Sequence, residues 1–138
     1  MSFRLHPILK KDCIELGQLE LCRVLLMNDS QFPWLILVPE RENMTEIHQL
    51  TTNDQQLLIR ESSYIAEKLA LQFQADKMNI AALGNMVPQL HIHHVVRYKT
   101  DKAWPAPIWG KFDAVAYTDK ELEVTLDMLK EFINSREY

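Results

Sequence analysis

The stretch of sequence that decides the fold is Gln89-Leu90-His91-Ile92-His93-His94-Val95-Val96, in which three histidines fall within four positions. Polar and apolar residues alternate from Gln89 to His93. Alternation with a period of two predicts a β-strand, because successive side chains of a strand point to opposite faces of the sheet. We therefore expect Gln89, His91 and His93 to share one face and His94 to lie on the other. Such a row of polar side chains is typical of a reactive site carried by a strand.

The segments around this strand, which is predicted over residues 89–97, indicate an α+β fold with a mostly antiparallel sheet and helices. Apolar residues cluster between polar turns at residues 19–27, 34–38 and 79–83, and each cluster predicts a further strand. The chain has 138 residues and contains no repeat or linker. That length suits one core, so we expect a single domain over residues 1–138.

Two helices are predicted from their capping residues and apolar spacing. The longer one begins with a capping box, either Thr52 with Gln55 or Asn53 with Gln56, and its apolar stripe runs to Phe73. A second capping box opens the last helix, which is predicted over residues 118–135. Both stripes are the pattern of helices that pack on a core.

Charge and composition exclude several classes of protein. The net charge of −4 is scattered, and no block of Lys or Arg is present. This argues against binding of a nucleic-acid polymer, although a mononucleotide in a pocket remains possible. No apolar run approaches the roughly 20 residues that cross a membrane, and the N-terminus lacks the apolar segment of a secretory signal. Cys13 and Cys22 form no CxxC motif, so we expect reduced thiols in a cytoplasmic protein.

Three interpretations of the histidine row are open. The histidines could simply decorate a half-exposed strand. Alternatively, His91 and His93 could bind a metal ion, since two histidines at i and i+2 reach the same side of a strand. A third ligand would then have to come from elsewhere in the chain, and the candidates are His6, Asp29, Glu40 and His48. No spacing in the sequence selects one of them.

The third interpretation is covalent nucleotidyl transfer through a histidine. A neutral imidazole is a good nucleophile toward phosphorus near neutral pH, and the adduct has a cationic leaving group that breaks down readily. The chemistry requires a fixed acceptor on the second ring nitrogen, so that the attacking nitrogen keeps its lone pair. It also requires donors for the phosphate oxygens. Gln89 and His93, which flank His91 on the same face, could be such donors.

The stretch resembles the signature of the histidine-triad (HIT) family, His-φ-His-φ-His-φ-φ, where φ is apolar. The similarity extends over residues 19–110 and includes Leu35-Ile36-Leu37-Val38-Pro39, Met44-Thr45-Glu46-Ile47, the long helix and Trp104-Pro105. In the favoured register the triad positions are Gln89, His91 and His93, as in a bacterial-type variant with Gln at the first position. In the other register His91 comes first and the third position is a valine.

The resemblance implies a HIT-like fold and a hydrolase or nucleotidyl transferase that acts on nucleotide phosphoramidates, nucleotidyl esters or dinucleoside polyphosphates. It implies that His91 is the nucleophile and that His93 helps to bind the phosphate. Gln89 could donate a hydrogen bond but could not carry a proton. No cofactor or metal is expected for the covalent step. The resemblance also implies a homodimer whose sheet continues across the interface; the alternative function is a non-catalytic nucleotide-binding or metal-binding module on the same fold.

Further binding residues are predicted with weaker signals. By resemblance, Asp29, with Asn28 beside it, is the nearest match to the acidic residue that holds the ribose. Asn85 is a candidate contact to the phosphate or the leaving group, although asparagine after a glycine also suits a plain turn.

For the tryptophans and for His94, a structural role is more common than a functional one. Trp104 could stack on a base or shape the pocket for the leaving group, and the same roles are weaker candidates for Trp34 and Trp109. A tryptophan usually buries its ring in the core and finds one partner for its N–H group. We expect His94 to be structural, on the opposite side of the sheet.

Overall fold

Five antiparallel strands form one sheet in this computed structural model, which describes residues 2–136. The elements in chain order are α1 (Pro7–Asp12), β1 (Cys13–Gln18), β2 (Cys22–Met27), β3 (Trp34–Pro39), a 3₁₀ helix (Ile47–Gln49), α2 (Thr52–Phe73), β4 (Lys77–Ala82), β5 (Ile92–Arg97) and α3 (Asp119–Asn134). The strand order is β1-β2-β3-β5-β4. The α+β prediction with an antiparallel sheet is therefore confirmed.

Core residues cover both faces of the two central strands, β3 and β5, which are buried along their whole length. On one face, Leu35 and Leu37 belong to a cluster that includes the apolar residues of α2 and α3. On the other face, Ile36 and Val95 belong to a second, smaller cluster with α1 and the segment after β5. His93 and His94 thus lie on an inner strand of the sheet, with packed residues on both of its faces.

Several predicted boundaries are displaced in the structure. β5 begins at Ile92, so Gln89 and His91 lie just before the regular strand. The helix α2 is capped by Thr51, whose hydroxyl accepts a hydrogen bond from the Asp54 N–H at 3.1 Å, and neither predicted capping box is used. The capping box of α3 at Thr118 is confirmed. Within residues 2–136, no helix is long and apolar enough to cross a membrane.

Two elements, α1 and β1, were not predicted. β1 pairs with β2, but its register shifts at Gly17. That irregularity interrupts the alternation of buried and exposed residues from which a strand is recognised. A Cβ at Gly17 would lie only 3.1 Å from the Ile133 Cγ2, so the absence of a side chain there lets α3 approach the strand.

Candidate active site

His91 and His93 lie side by side on the sheet face that is turned away from α2. Their ring centroids are 5.0 Å apart, and both side chains are largely buried. His93 pairs with Ile36 on β3 and with Ala81 on β4, so it is carried by the centre of the sheet. The prediction that these two histidines share a face is confirmed.

The ring of His91 is oriented by its own backbone. Its Nδ1 lies 2.7 Å from the carbonyl oxygen of Gln89, and because a carbonyl only accepts, the Nδ1–H is the donor. In the neutral ring the lone pair is then on Nε2. Within residues 2–136 this Nε2 has no hydrogen-bond partner, and it is not among the fully enclosed atoms. A neutral imidazole held in this way has its lone pair on a ring nitrogen that is not sealed inside the protein.

The ring of His93 has the opposite arrangement. Its Nδ1 accepts a hydrogen bond from the indole Nε1–H of Trp34 at 3.0 Å, so the proton of the neutral ring is on Nε2. Burial, together with the charge that His91 and His94 would carry, lowers the pKa of His93 to about 3. His93 is therefore a neutral N–H donor at neutral pH, next to the lone pair of His91.

Trp109 completes the wall of the site around His93. The centroid of the His93 ring lies 5.4 Å from that of Trp109, and the Trp109 ring is also in edge contact with Trp34. The Trp109 Nε1 is the single enclosed side-chain nitrogen or oxygen in residues 2–136 that has no hydrogen-bond partner. The sequence indicated only a minor functional role for Trp34 and Trp109, because Trp34 reaches His93 through the pairing of β3 with β5, and Trp109 lies in the irregular segment after β5.

Gln89 holds the N-terminal segment beside the histidines. Its Oε1 accepts a hydrogen bond from the His6 N–H, and its Nε2 donates to the Arg4 carbonyl, both at 2.8 Å. One amide N–H of Gln89 is left for another partner. The sequence did not indicate this contact, which joins residues more than eighty positions apart.

His94 points to the helix side of the sheet, as alternation predicts. Its Nδ1–H donates to the Ile92 carbonyl at 3.0 Å, so its Nε2 accepts from the Ser62 hydroxyl at 2.7 Å. Burial is the main cause that lowers the pKa of His94 to about 4. His94 is thus a neutral core residue with both ring nitrogens satisfied.

Asp29 and Asn28 bind a later segment of the chain. One carboxylate oxygen of the buried Asp29 accepts hydrogen bonds from the backbone and side chain of Gln31, at 3.1 and 3.0 Å, and a long one from Val115. The side-chain oxygen of Asn28 accepts from the Tyr117 N–H at 3.0 Å. These contacts place the segment after β5 against the loop between β2 and β3. A role in ribose binding stays a prediction.

Asn85 and Trp104 lie outside the immediate surroundings of the histidines. Asn85 borders a cleft of about 350 Å³ between the β4–β5 loop and the segment around Thr45. The Trp104 ring packs under the guanidinium of Arg97, 5.7 Å from its centroid. No hydrogen bond or ring contact joins either side chain to His91 or His93 within residues 2–136, and their binding roles stay predictions. The same residues contain no group of three or more His, Cys, Asp or Glu side chains that could hold a metal ion.

Comparisons with known proteins find a family model and several solved structures that match the chain. A family model described as the HIT domain matches residues 9–100. The crystal structure of a histidine triad protein from Marinobacter aquaeolei VT8 is 47% identical, superposes with a TM-score of 0.96, and the match covers 98% of each chain. A histidine triad protein from Bradyrhizobium japonicum is 41% identical, with a TM-score of 0.93 and coverage of 96% of this chain and 99% of that one. A histidine triad protein from Sinorhizobium meliloti 1021 is 41% identical, with a TM-score of 0.91 and coverage of 94% and 96%. No curated protein matches the chain significantly.

Proposed function

The chain belongs to the histidine-triad family, and we propose that it is a single-domain hydrolase or nucleotidyl transferase in which His91 attacks the phosphorus of a nucleotide. Its substrates would be nucleotide phosphoramidates, nucleotidyl esters or dinucleoside polyphosphates. The observation that supports this most directly is the 2.7 Å hydrogen bond from the His91 Nδ1–H to the Gln89 carbonyl, because it leaves the lone pair on the outward Nε2.

In the first step, the His91 Nε2 lone pair forms a bond to the α-phosphorus, and the bond from phosphorus to the leaving group breaks. The leaving group departs with the electron pair of that bond. His91 becomes a cationic imidazolium whose Nδ1–H keeps its hydrogen bond to the Gln89 carbonyl. The His93 Nε2–H donates to a phosphate oxygen, where negative charge increases in the transition state.

In the second step, water attacks the same phosphorus and the bond to His91 breaks. The electron pair returns to the His91 Nε2, and the proton of the water is released to solvent. If an alcohol or a second phosphate takes the place of water, the reaction is a transfer. The nucleophile of the first step is a side chain, so that step does not need a metal-bound nucleophile.

The leaving group in this site obtains no proton from Gln89, because an amide does not titrate. A leaving group that is stable as an anion, such as nitrophenolate or a phosphate chain, therefore suits the site better than an alkyl amine. This argument makes a p-nitrophenyl ester of AMP the appropriate first substrate.

The proposal is tested by intact mass spectrometry after rapid mixing with the p-nitrophenyl ester of AMP. The reaction is stopped in alkaline denaturant, because a phosphorus–imidazole bond is labile in acid. We expect the wild type to gain the mass of one nucleotidyl group and His91→Ala to gain none. His48→Ala, which alters an exposed histidine outside the site, is the matched control and should form the adduct. Absence of both adduct and nitrophenolate release in the wild type would contradict the enzymatic proposal.

The alternative is a nucleotide-binding module without catalysis. It is favoured by the contacts of Gln89, whose amide is occupied mainly in holding Arg4 and His6. The two functions differ in one result. A binding module would show saturable binding of AMP by calorimetry, with no adduct and no product from the ester.

We also propose that the protein is a homodimer, with β4 as the contact strand. β4 is an edge strand of the sheet, and an exposed edge tends to pair with another chain. Beside it lies a hollow of about 250 Å³ between β4 and α2. Ile80 and Ile59, which line it, are 51% and 66% exposed. A second copy of the chain would bury these apolar side chains and continue the sheet.

Analytical ultracentrifugation tests the dimer with two charge substitutions. Ile80→Lys places a charge at the proposed contact and should shift the molar mass from dimer to monomer. Leu71→Lys is the matched control, because Leu71 is also an exposed apolar residue but borders a separate cleft between α2 and α3. Equal molar masses for the two variants would contradict this interface.

A further inference from the structure

Trp34 sets the chemical state of His93 from the neighbouring strand. It is the first residue of β3, and β3 pairs with β5 so that Trp34 lies opposite Val95, two positions from His93. The indole nitrogen is 3.0 Å from the His93 Nδ1. An indole N–H only donates, so the His93 Nδ1 must accept and carries no hydrogen in this arrangement.

The other two histidines of the stretch have the reverse tautomer. His91 and His94 each donate their Nδ1–H to a backbone carbonyl two residues earlier, that of Gln89 or Ile92. This contact is local, since it joins residues only two positions apart. His93 has an equivalent carbonyl two residues earlier, yet its Nδ1 bonds to Trp34 instead. The difference between His93 and its neighbours therefore comes from β3.

We propose that Trp34 is a positioning residue that holds His93 in the Nε2–H tautomer, so that this N–H faces the substrate phosphate. The role of the phosphate rests on the proposed function, whereas the tautomer does not. With the local carbonyl as its partner, His93 would present a lone pair to the phosphate oxygens and repel them. With Trp34 in place, the site has one lone pair, on the His91 Nε2, and one donor, the His93 Nε2–H.

The surroundings of His93 leave little freedom for another orientation. Trp34 is buried, and its ring centroid lies 5.6 Å from that of His93. The Trp109 ring contacts His93 at its edge, and the His91 ring lies on another side. The hydrogen bond from Trp34 is therefore made by a side chain that cannot move away without opening the core.

Nitrogen NMR of the histidine rings in the wild-type protein tests the tautomer directly. We expect the Nδ1 of His93 to resonate as an unprotonated nitrogen and its Nε2 as a protonated one. The rings of His91 and His94 should show the reverse pattern. If His93 shows the same tautomer as the other two, the inference is overturned. This measurement requires no substitution and no substrate.

The variant Trp34→Phe removes the donor but keeps an aromatic ring. We expect the His93 tautomer to shift toward Nδ1–H, and the rate of adduct formation to fall about a hundredfold, as for loss of one donor to a transition-state oxyanion. The KM should change little. Tyr64→Phe is the control, because it also removes one buried donor from an aromatic side chain, but on the helix side of the sheet, where Tyr64 donates to the Phe132 carbonyl.

The outcomes separate this inference from the proposed function. An unchanged His93 tautomer in Trp34→Phe, or an equal loss of rate in Tyr64→Phe, overturns the positioning role even if the wild type forms the adduct. A wild type that forms no adduct overturns the proposed function, while the tautomers in wild type and variant still decide whether Trp34 controls His93.

Discussion

His94 should make the protein sensitive to mild acid. The ring is completely buried between the sheet and α2, and its two nitrogens are satisfied as a neutral imidazole by Ile92 and Ser62. A proton on the His94 Nε2 would occupy the lone pair that accepts the hydrogen bond from the Ser62 hydroxyl. Burial accordingly lowers the pKa of His94 from 6.5 to about 4. In the unfolded chain this histidine is hydrated and binds a proton at its ordinary pKa.

The sign and the size of the effect follow from proton linkage. Between pH 6.5 and about 4 the unfolded state binds one more proton at His94 than the folded state, so the free energy of unfolding falls as the pH falls. At about 1.4 kcal/mol per pH unit, the full loss is about 3 kcal/mol. This is a large part of the roughly 5–15 kcal/mol that stabilises an ordinary domain. Above pH 6.5 the contribution of His94 does not change with pH.

Urea unfolding at several pH values measures this contribution. His94→Gln removes the titrating ring and should cost stability near neutral pH, because a packed and hydrogen-bonded side chain is lost. The amount by which its free energy of unfolding lies below that of the wild type should shrink by about 2.5 kcal/mol between about pH 7.5 and about pH 4.5. The exposed residue His48 provides the control His48→Gln, which should follow the wild-type slope. All samples are compared at one protein concentration, since a dimer gains stability with concentration.

Parallel pH profiles for His94→Gln and the wild type would refute this reasoning. Such a result would mean that the folded protein accepts a proton at His94 as easily as the unfolded chain. The buried His93, with its pKa near 3, is present in both proteins, so the effect of its burial, which is the largest cause of that low pKa, is common to the two profiles.

Two further substitutions test contacts that organise the site and the segment after it. Gln89→Ala removes both hydrogen bonds to the N-terminal segment, so trypsin should cleave after Arg4 faster than in the wild type, as followed by mass spectrometry. Asp101→Asn removes the negative charge of a bidentate ion pair with the buried Arg97. The free energy of unfolding, measured in urea, should fall by about 3 kcal/mol. A change below about 1 kcal/mol would contradict a buried, fully paired charge.

The sequence predicted those parts of the fold that depend on local periodicity. α2 and α3 were found from apolar spacing, β3 from its apolar run, and β5 from the alternation of polar and apolar residues. β1 was missed because the irregularity at Gly17 interrupts its alternation. The cap of α2 was misplaced by one or two residues, since neighbouring Thr and Asn residues could each act as a cap and only the folded backbone selects Thr51.

The candidate site, like the fold, was predicted from the sequence only where local periodicity determines it. The shared face of His91 and His93 and the opposite face of His94 follow from alternation alone, and both were predicted. The contacts of Trp34 with His93 and of Gln89 with the N-terminal segment join residues that are 59 and more than 80 positions apart. Which strand lies beside β5, and in which register, is decided by packing of the whole sheet, so no local pattern contains these partners.

The three histidines show why a motif describes only part of a site. His91, His93 and His94 have the same side chain, and each has a backbone carbonyl two residues earlier in the chain. His91 keeps that acceptor, and its second ring nitrogen is neither enclosed nor bonded within residues 2–136, which leaves a nucleophilic nitrogen. His94 keeps it in the core, where Ser62 occupies the second nitrogen and removes any reactivity. His93 loses it to Trp34 and becomes a donor. A substitution at position 34 should therefore change the chemistry of the motif while every residue of the motif stays the same.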